Sequence, residues 1–188
     1  LEHSSVLLPA YSLRHRLGVN IKVLQLQPNE SEDSIIQKLA SSITNRTRLV
    51  FSSHIQYTSG LRMPVKSIRE LTRSHGIKML LDGAQTAGHI SLDLHNMDCD
   101  FYSIPAQKWL LGPDGVGALY VKKELIPTLQ PTRVSGRAAL SYDDQGNYNP
   151  NNDSLDKFRL TTKSAPLSAG FCEAIKFVQE IGMETVES

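Results

Sequence analysis

The segment Asp100-Phe-Tyr-Ser-Ile-Pro-Ala-Gln-Lys-Trp-Leu-Leu-Gly-Pro-Asp-Gly-Val-Gly117 places a lysine between an apolar run and a glycine-rich turn. Its apolar pattern predicts a strand over residues 100–104 and a second strand, 116–121, that returns from the turn. A lysine amine that a strand delivers to a site where water is scarce can attack a carbonyl group. The simpler alternative is that Lys108 is a solvated surface charge.

A second segment, Lys78-Met-Leu-Leu-Asp82-Gly-Ala-Gln85, predicts another strand, which ends in an acid, a glycine and an amide. The carboxyl ends of strands in open α/β sheets face the ligand crevice, so we expect Asp82, Gln85 and Lys108 to converge there. Such a set suits pyridoxal phosphate, which needs a lysine for its Schiff base, an acid beside its pyridine nitrogen and a donor to its ring oxygen. Taken alone, Asp82 is equally typical of a helix cap or a turn, and Gln85 of a helix start.

Four short motifs along the chain resemble those of one family, the class V aminotransferases and cysteine desulfurases of fold-type I pyridoxal-phosphate enzymes. They are Glu2-His3-Ser4-Ser5 with Pro9, Ser53-His54 with Ser59-Gly60, Leu81-Asp82-Gly83-Ala84-Gln85, and Gln107-Lys108-Trp109 with Gly112-Pro113. Each motif is short, but their order and intervals make the resemblance specific.

The resemblance implies a role for each of four side chains. Lys108 is expected to form the Schiff base and Asp82 to pair with the pyridine nitrogen. Gln85 is expected to donate to the ring oxygen, and His3 to stack on the pyridine face. Without the resemblance, His3 is equally typical of a frayed terminal histidine.

Two further residues are implied as ligands of the cofactor phosphate. Many desulfurases carry Ser-Gly-His before the lysine, where this chain has Pro105-Ala106-Gln107; proline has no donor, but Gln107 can still donate a hydrogen bond. Phe158-Arg-Leu-Thr-Thr162 resembles the segment whose threonine reaches the phosphate of the neighbouring subunit, although Thr161 replaces the family's usual glycine. Thr162 is therefore expected to act across a homodimer.

His54 and Tyr57 are expected near the substrate. Tyr57 occupies the place where many desulfurases have an asparagine, and His54 also fits a core histidine that holds its loop. Tyr57 and Pro105-Ala106-Gln107 both weaken a strict desulfurase assignment. The form Gln107-Lys-Trp-Leu-Leu-Gly-Pro113 resembles the family's aminotransferase-like and carbon–sulfur lyase branch more closely.

The function implied by the resemblance is that of a transferase or lyase acting on an amino acid through a Lys108 aldimine. It leaves open aminotransferase, cysteine desulfurase and C–S lyase chemistry. The alternative is a catalytically inert fragment or scaffold that keeps the fold, because the family's N-terminal phosphate loop and C-terminal substrate-binding arginine fall outside this sequence. Residues 1–188 are expected to be part of the large cofactor-binding domain, running into the small domain near 165–188.

Composition excludes several other classes of protein. Lys plus Arg (20) nearly balance Asp plus Glu (19), which gives no electrostatic reason to expect nucleic acid or a membrane surface as partner. The two cysteines, Cys99 and Cys172, form no zinc or disulfide pattern and suit small core positions in a cytoplasmic protein. The 112–117 glycine run lacks the Gly-Lys-Ser/Thr ending of a nucleotide-binding P-loop.

Alternating helical and strand patterns predict an α/β fold, with a mostly parallel sheet and helices on both faces. The polar segment 135–156 is expected to be an exposed, mobile loop. The expected helices are 5–17, one that begins after the capping residues 29–34, one from Pro64 to Gly76, and one from Pro166 to Gly182; the remaining strands are 22–26 and 48–54.

Overall fold

The structure is a computed structural model that describes residues 2–160 and 162–188. Its α-helices are α1 (Ser4–Leu17), α2 (Glu32–Ala40), α3 (Val65–Ser74), α4 (Leu94–Met97), α5 (Ala165–Ile181) and α6 (Met183–Glu187). Its strands are β1 (Leu49–Ser53), β2 (Lys78–Asp82), β3 (Phe101–Pro105), β4 (Gly117–Val121), β5 (Ala139–Tyr142) and β6 (Tyr148–Pro150). Short 3-10 helices cover Lys123–Thr128, Gly136–Ala138 and Leu155–Phe158.

Strands β1 to β4 form one sheet in chain order. β1, β2 and β3 are parallel, and β4 returns antiparallel to β3. The register pairs Ser53 with Asp82 and Asp82 with Ser103, so the carboxyl ends of the three parallel strands lie side by side. This arrangement confirms the predicted α/β fold with a mostly parallel sheet.

The core lies between the sheet and two helices. Met79 and Leu81 on β2 are fully buried, and they share one cluster with Ile35 and Leu39 of α2 and Ile68 of α3. Burial of each such side chain contributes about 1.5–3 kcal/mol. This packing fixes the position of β2. It thereby also fixes the turn of residues 82–85 that ends β2, called here the acidic turn.

Capping residues mark one end of three helices. Gly18, with φ of 66°, ends α1, and its N–H donates to the carbonyl of Arg14. Ser31 caps α2, and Ser164 caps α5. None of the helices within residues 2–160 and 162–188 is long and apolar enough to cross a membrane.

The structure corrects the predicted strand 22–26. Leu24 and Leu26 pack against the core, as apolar residues should. The described backbone around them nevertheless joins no sheet, and apolar alternation makes a strand only where a second backbone is available to pair with it.

The expected loop 135–156 also needs correction, because it contains a β-hairpin made by β5 and β6. The Asp143 carboxylate closes its turn by accepting from the N–H groups of Gln145 and Asn147. The Asn147 side-chain amide also donates to this carboxylate, and this bond, followed by the backbone bonds, lowers the pKa of Asp143. Residues 141–149 are exposed, as expected.

An ionic network fixes the start of β3, the strand that leads to Lys108. The Asp100 carboxylate is buried and accepts from the Arg69 guanidinium at 2.9 Å and from the Met79 N–H at 2.8 Å. Arg69 also pairs with Asp98 at 3.0 Å. β3 is thereby tied to both α3 and β2.

The two cysteines have different environments. Cys99 is fully buried, and desolvation raises the pKa of its thiol to about 11, so it remains protonated and unreactive at neutral pH. Cys172 is exposed on α5, so the expectation of a core position is wrong for this residue. The helical pattern around it does not specify which face meets the core.

Candidate cofactor site

Asp82 ends β2 at the edge where the parallel strands meet. Its carboxylate is half-buried, and one oxygen, Oδ1, accepts from the Ala84 N–H at 3.0 Å and from the Ser103 hydroxyl at 3.2 Å. Its Oδ2 has no hydrogen-bond partner within the described residues. Asp82 is thus oriented by two donors and retains an acceptor for a third.

A buried chain of hydrogen bonds lies beneath the acidic turn. His54 Nδ1 is 2.9 Å from the Tyr102 hydroxyl, which is 2.5 Å from the Thr86 hydroxyl, and Thr86 donates to the Gly83 carbonyl at 3.1 Å. Because that carbonyl can only accept, every donor is satisfied when His54 donates to Tyr102 and Tyr102 donates to Thr86. The chain connects the ends of β1 and β3 to the turn after Asp82.

Burial keeps His54 neutral. Desolvation, aided by the positive charge of Arg62, lowers its pKa from 6.5 to about 4. The side chain is 2% exposed, and its backbone N–H donates to the Asp82 carbonyl at 2.9 Å. His54 therefore supports the acidic turn from below.

Gly83 allows Tyr102 to pack directly beneath this turn. A Cβ on Gly83 would lie 2.1 Å from Tyr102 Cε1 and 2.8 Å from the Ser103 carbonyl oxygen. Any side chain at this position would displace the buried ring. The glycine after Asp82 is therefore required for close packing.

The turn that carries Lys108 is closed by backbone hydrogen bonds. The Gly112 N–H donates to the Ala106 carbonyl at 2.8 Å, and the Leu111 N–H donates to the Lys108 carbonyl at 3.0 Å. Ala106 is fully buried, whereas Lys108 is exposed. The Lys108 amine forms no hydrogen bond or ion pair with the rest of the described chain.

This turn of residues 106–112, called here the lysine turn, also lies against the segment that follows Asp82. Gly88 has φ of +86°, and a Cβ there would lie 2.7 Å from the Trp109 carbonyl and from the Leu110 nitrogen. Trp109 Nε1 donates to Gln85 Oε1 at 2.9 Å. The two predicted motifs are thus in direct contact, and Gln85 lies beside the turn that bears Lys108.

The first residues of the chain meet the end of β1. The Glu2 carboxylate accepts from the Ser53 N–H at 3.0 Å, from the Ser53 hydroxyl at 2.7 Å and from Gln56 Nε2 at 2.7 Å. His3 caps α1, is exposed and meets the Tyr57 ring edge-on at 5.3 Å between centroids. Glu2 thereby ties His3 and Tyr57 to the sheet edge that Asp82 shares.

Two predicted phosphate ligands lie at the surface. Gln107 and Thr162 are both exposed, and neither side chain hydrogen-bonds within residues 2–160 and 162–188. No described contact joins Thr162 to the sheet edge, and Thr161 lies outside the described residues. The structure thus brings together Asp82, Gln85 and the lysine turn, but not Thr162.

The motifs assign no role to three residues of this edge. Ser103 contacts Asp82 only because the β2–β3 register aligns the two residues. From the sequence alone, Tyr102 is one apolar residue of a predicted strand, and Trp109 is only the residue that follows Lys108. The alternation of β3 indicates that Ser103 and Tyr102 face opposite sides, but only the sheet order assigns their neighbours.

Comparison with known proteins places this geometry in a family. The model of the family described as Aminotransferase class-V matches residues 1–188. The chain belongs to the class-V aminotransferase family. A probable cysteine desulfurase of Halalkalibacterium halodurans is 31% identical over 100% of this chain and 45% of its own length. A cysteine desulfurase of Salmonella newport is 35% identical over 72% of this chain and 33% of its own.

Solved structures of this family share the fold. A cystine C–S lyase, C-DES, in complex with its product cysteine persulfide, has a TM-score of 0.87 at 28% identity, covering 99% of this chain and 49% of its own. An apo cysteine desulfurase from Thermococcus onnurineus NA1 has a TM-score of 0.86 at 23% identity, over 97% of this chain and 44% of its own, which bears on the fold alone. The chain spans less than half the length of these relatives.

Proposed function

We propose that the protein to which this chain belongs is a pyridoxal-phosphate enzyme acting on an amino acid. The observation that carries the proposal is the contact between two motifs, which sets Asp82 and Gln85 beside the turn that bears Lys108. Membership of the class-V aminotransferases supports it, and so does a lyase variant solved with glycine covalently linked to its cofactor, a relative of 28% identity.

The chemistry of these side chains fits the cofactor. Asp82 Oδ2 is an acceptor with no partner in the described chain, as an N–H on a pyridine ring requires. The Gln85 oxygen is taken by Trp109, which leaves the amide nitrogen to donate to a ring oxygen. No carboxylate of the described residues pairs with the Lys108 amine.

The bound cofactor would supply an electron sink for negative charge at the substrate α-carbon. Asp82 would hold a proton at the ring nitrogen, and Lys108 would hold the cofactor and move the proton of the α-carbon. His3 would cover the ring face, with Tyr57 against its edge. Gln107, together with Thr162 supplied by a second subunit, would bind the phosphate of a homodimeric enzyme.

For the substrate we propose an amino acid with a carbon–sulfur bond. The support comes from the relatives, which are named as cysteine desulfurases and a cystine C–S lyase. The loss of Ser-Gly-His before Lys108 makes the lyase type the better match. With cysteine or cystine as substrate, pyruvate as product would indicate elimination, and alanine would indicate desulfuration.

A titration of the full-length protein with pyridoxal phosphate tests the cofactor assignment. We expect a new absorbance band near the visible edge, which Lys108→Ala abolishes and Asp82→Asn weakens. Lys123→Ala removes another exposed lysine and should leave the band unchanged. A band of equal size in Lys108→Ala would overturn the proposal.

A further inference from the structure

Among the described residues, Trp109 makes one side-chain hydrogen bond and one ring contact, both with the segment that follows β2. Its indole N–H donates to Gln85 Oε1 at 2.9 Å. Its ring stacks on His89, with 4.1 Å between centroids and 11° between planes. The residue after Lys108 therefore connects the lysine turn to the amide beside Asp82.

The indole bond determines which way the Gln85 amide faces. An indole nitrogen can only donate, so the atom opposite it must be the amide oxygen. The amide NH₂ is then turned away from Trp109, and it has no partner among the described residues. Without the indole N–H, the amide could rotate by half a turn and present its oxygen instead.

His89 holds the indole in place. Its Nδ1 lies 3.0 Å from the Gln85 backbone carbonyl, which can only accept, so Nδ1 carries a proton. His89 is half-buried and is thereby oriented flat against Trp109. Gln85, His89 and Trp109 form a closed set in which each member restrains the next.

We propose that Trp109 is a positioning residue that keeps the Gln85 NH₂ directed at the ring oxygen of the cofactor. This inference rests on the proposed function. Trp109 itself acts through Gln85, so its effect on cofactor binding depends on the ligand atom to which Gln85 donates. A cofactor lacking the ring hydroxyl gives Gln85 nothing to donate to and should be insensitive to Trp109.

The test compares two ligands on Trp109→Phe in the full-length protein. Phenylalanine keeps an aromatic face against His89 but has no N–H. Equilibrium dialysis would measure the affinity for pyridoxal phosphate and for its 3-deoxy analogue, which lacks the ring hydroxyl. We expect roughly 3- to 10-fold weaker binding of pyridoxal phosphate, the effect of one hydrogen bond, and unchanged binding of the analogue.

A Gln85→Ala background provides the matched control. There Trp109→Phe should change neither affinity, because the amide through which it acts is absent. Equal weakening for both ligands would mean that Trp109 only stabilises the turn, and unchanged binding of pyridoxal phosphate would mean that it does not orient the amide; either result overturns the inference alone. Absence of pyridoxal-phosphate binding by the wild-type protein would overturn the proposed function as well.

Discussion

Tyr102→Phe removes the central hydroxyl of the buried chain beneath the acidic turn. The His54 Nδ1–H then loses its acceptor, and a buried donor without a partner costs about 1–3 kcal/mol. The Thr86 hydroxyl loses its donor but keeps its own bond to Gly83, so its share of the cost is smaller. We expect the free energy of unfolding of the full-length protein to fall by about 2–3 kcal/mol.

Urea unfolding followed by circular dichroism measures this loss, and Tyr142→Phe is the matched control. The Tyr142 side chain is 73% exposed and its hydroxyl has no hydrogen bond within the described chain, so its removal should cost less than about 0.5 kcal/mol. A cost below about 0.5 kcal/mol for Tyr102→Phe would refute the view that this chain supports the turn after Asp82.

Three further substitutions test other parts of the fold. Gly88→Ala should lower the free energy of unfolding by at least about 1–2 kcal/mol more than Gly146→Ala, measured by thermal or urea unfolding. The two glycines both have φ near +90°, but only Gly88 lies against another backbone segment. Equal costs would contradict this close approach. Asp100→Asn removes the buried negative charge beside Arg69, which keeps its pair with Asp98, and should lower the free energy of unfolding by about 1–3 kcal/mol. A cost under about 0.5 kcal/mol would contradict a stabilising role for this pair. The pKa of His54 is about 4 in the folded protein, against 6.5 in the unfolded chain. As the pH falls, the unfolded chain therefore binds its proton first, and the free energy of unfolding should decrease between about pH 6.5 and pH 4. If His54→Asn left the pH dependence of this free energy unchanged, that result would contradict the assignment.

Local signals were sufficient for most helices and strands. Pro64 and Gly76 bracket α3 as predicted, and the apolar run before Asp82 forms the predicted β2. The predictions of local structure fail for segments whose structure depends on pairing with another strand. Residues 22–26 have strand character but no paired backbone, and the 139–150 hairpin is too polar for its pairing to be read from alternation.

For the site, the motifs identified side chains and the sheet supplied the contacts between them. That Asp82 and the lysine turn share one sheet edge followed from the rule for parallel strands. The Ser103–Asp82 bond and the Trp109–Gln85 bond depend on register and on the path of the turn, neither of which a linear pattern contains. Thr162 makes no described contact with this edge, and its expected role across a homodimer stays a prediction.

Peptide mapping after borohydride reduction identifies the lysine that holds the cofactor. The full-length protein would be mixed with pyridoxal phosphate, reduced, digested and examined by mass spectrometry, with the Lys108→Ala variant treated in parallel. We expect one stoichiometric cofactor adduct on the peptide that contains Lys108, and its loss in the variant. A stoichiometric adduct on another lysine, or none in the wild-type protein, would contradict it.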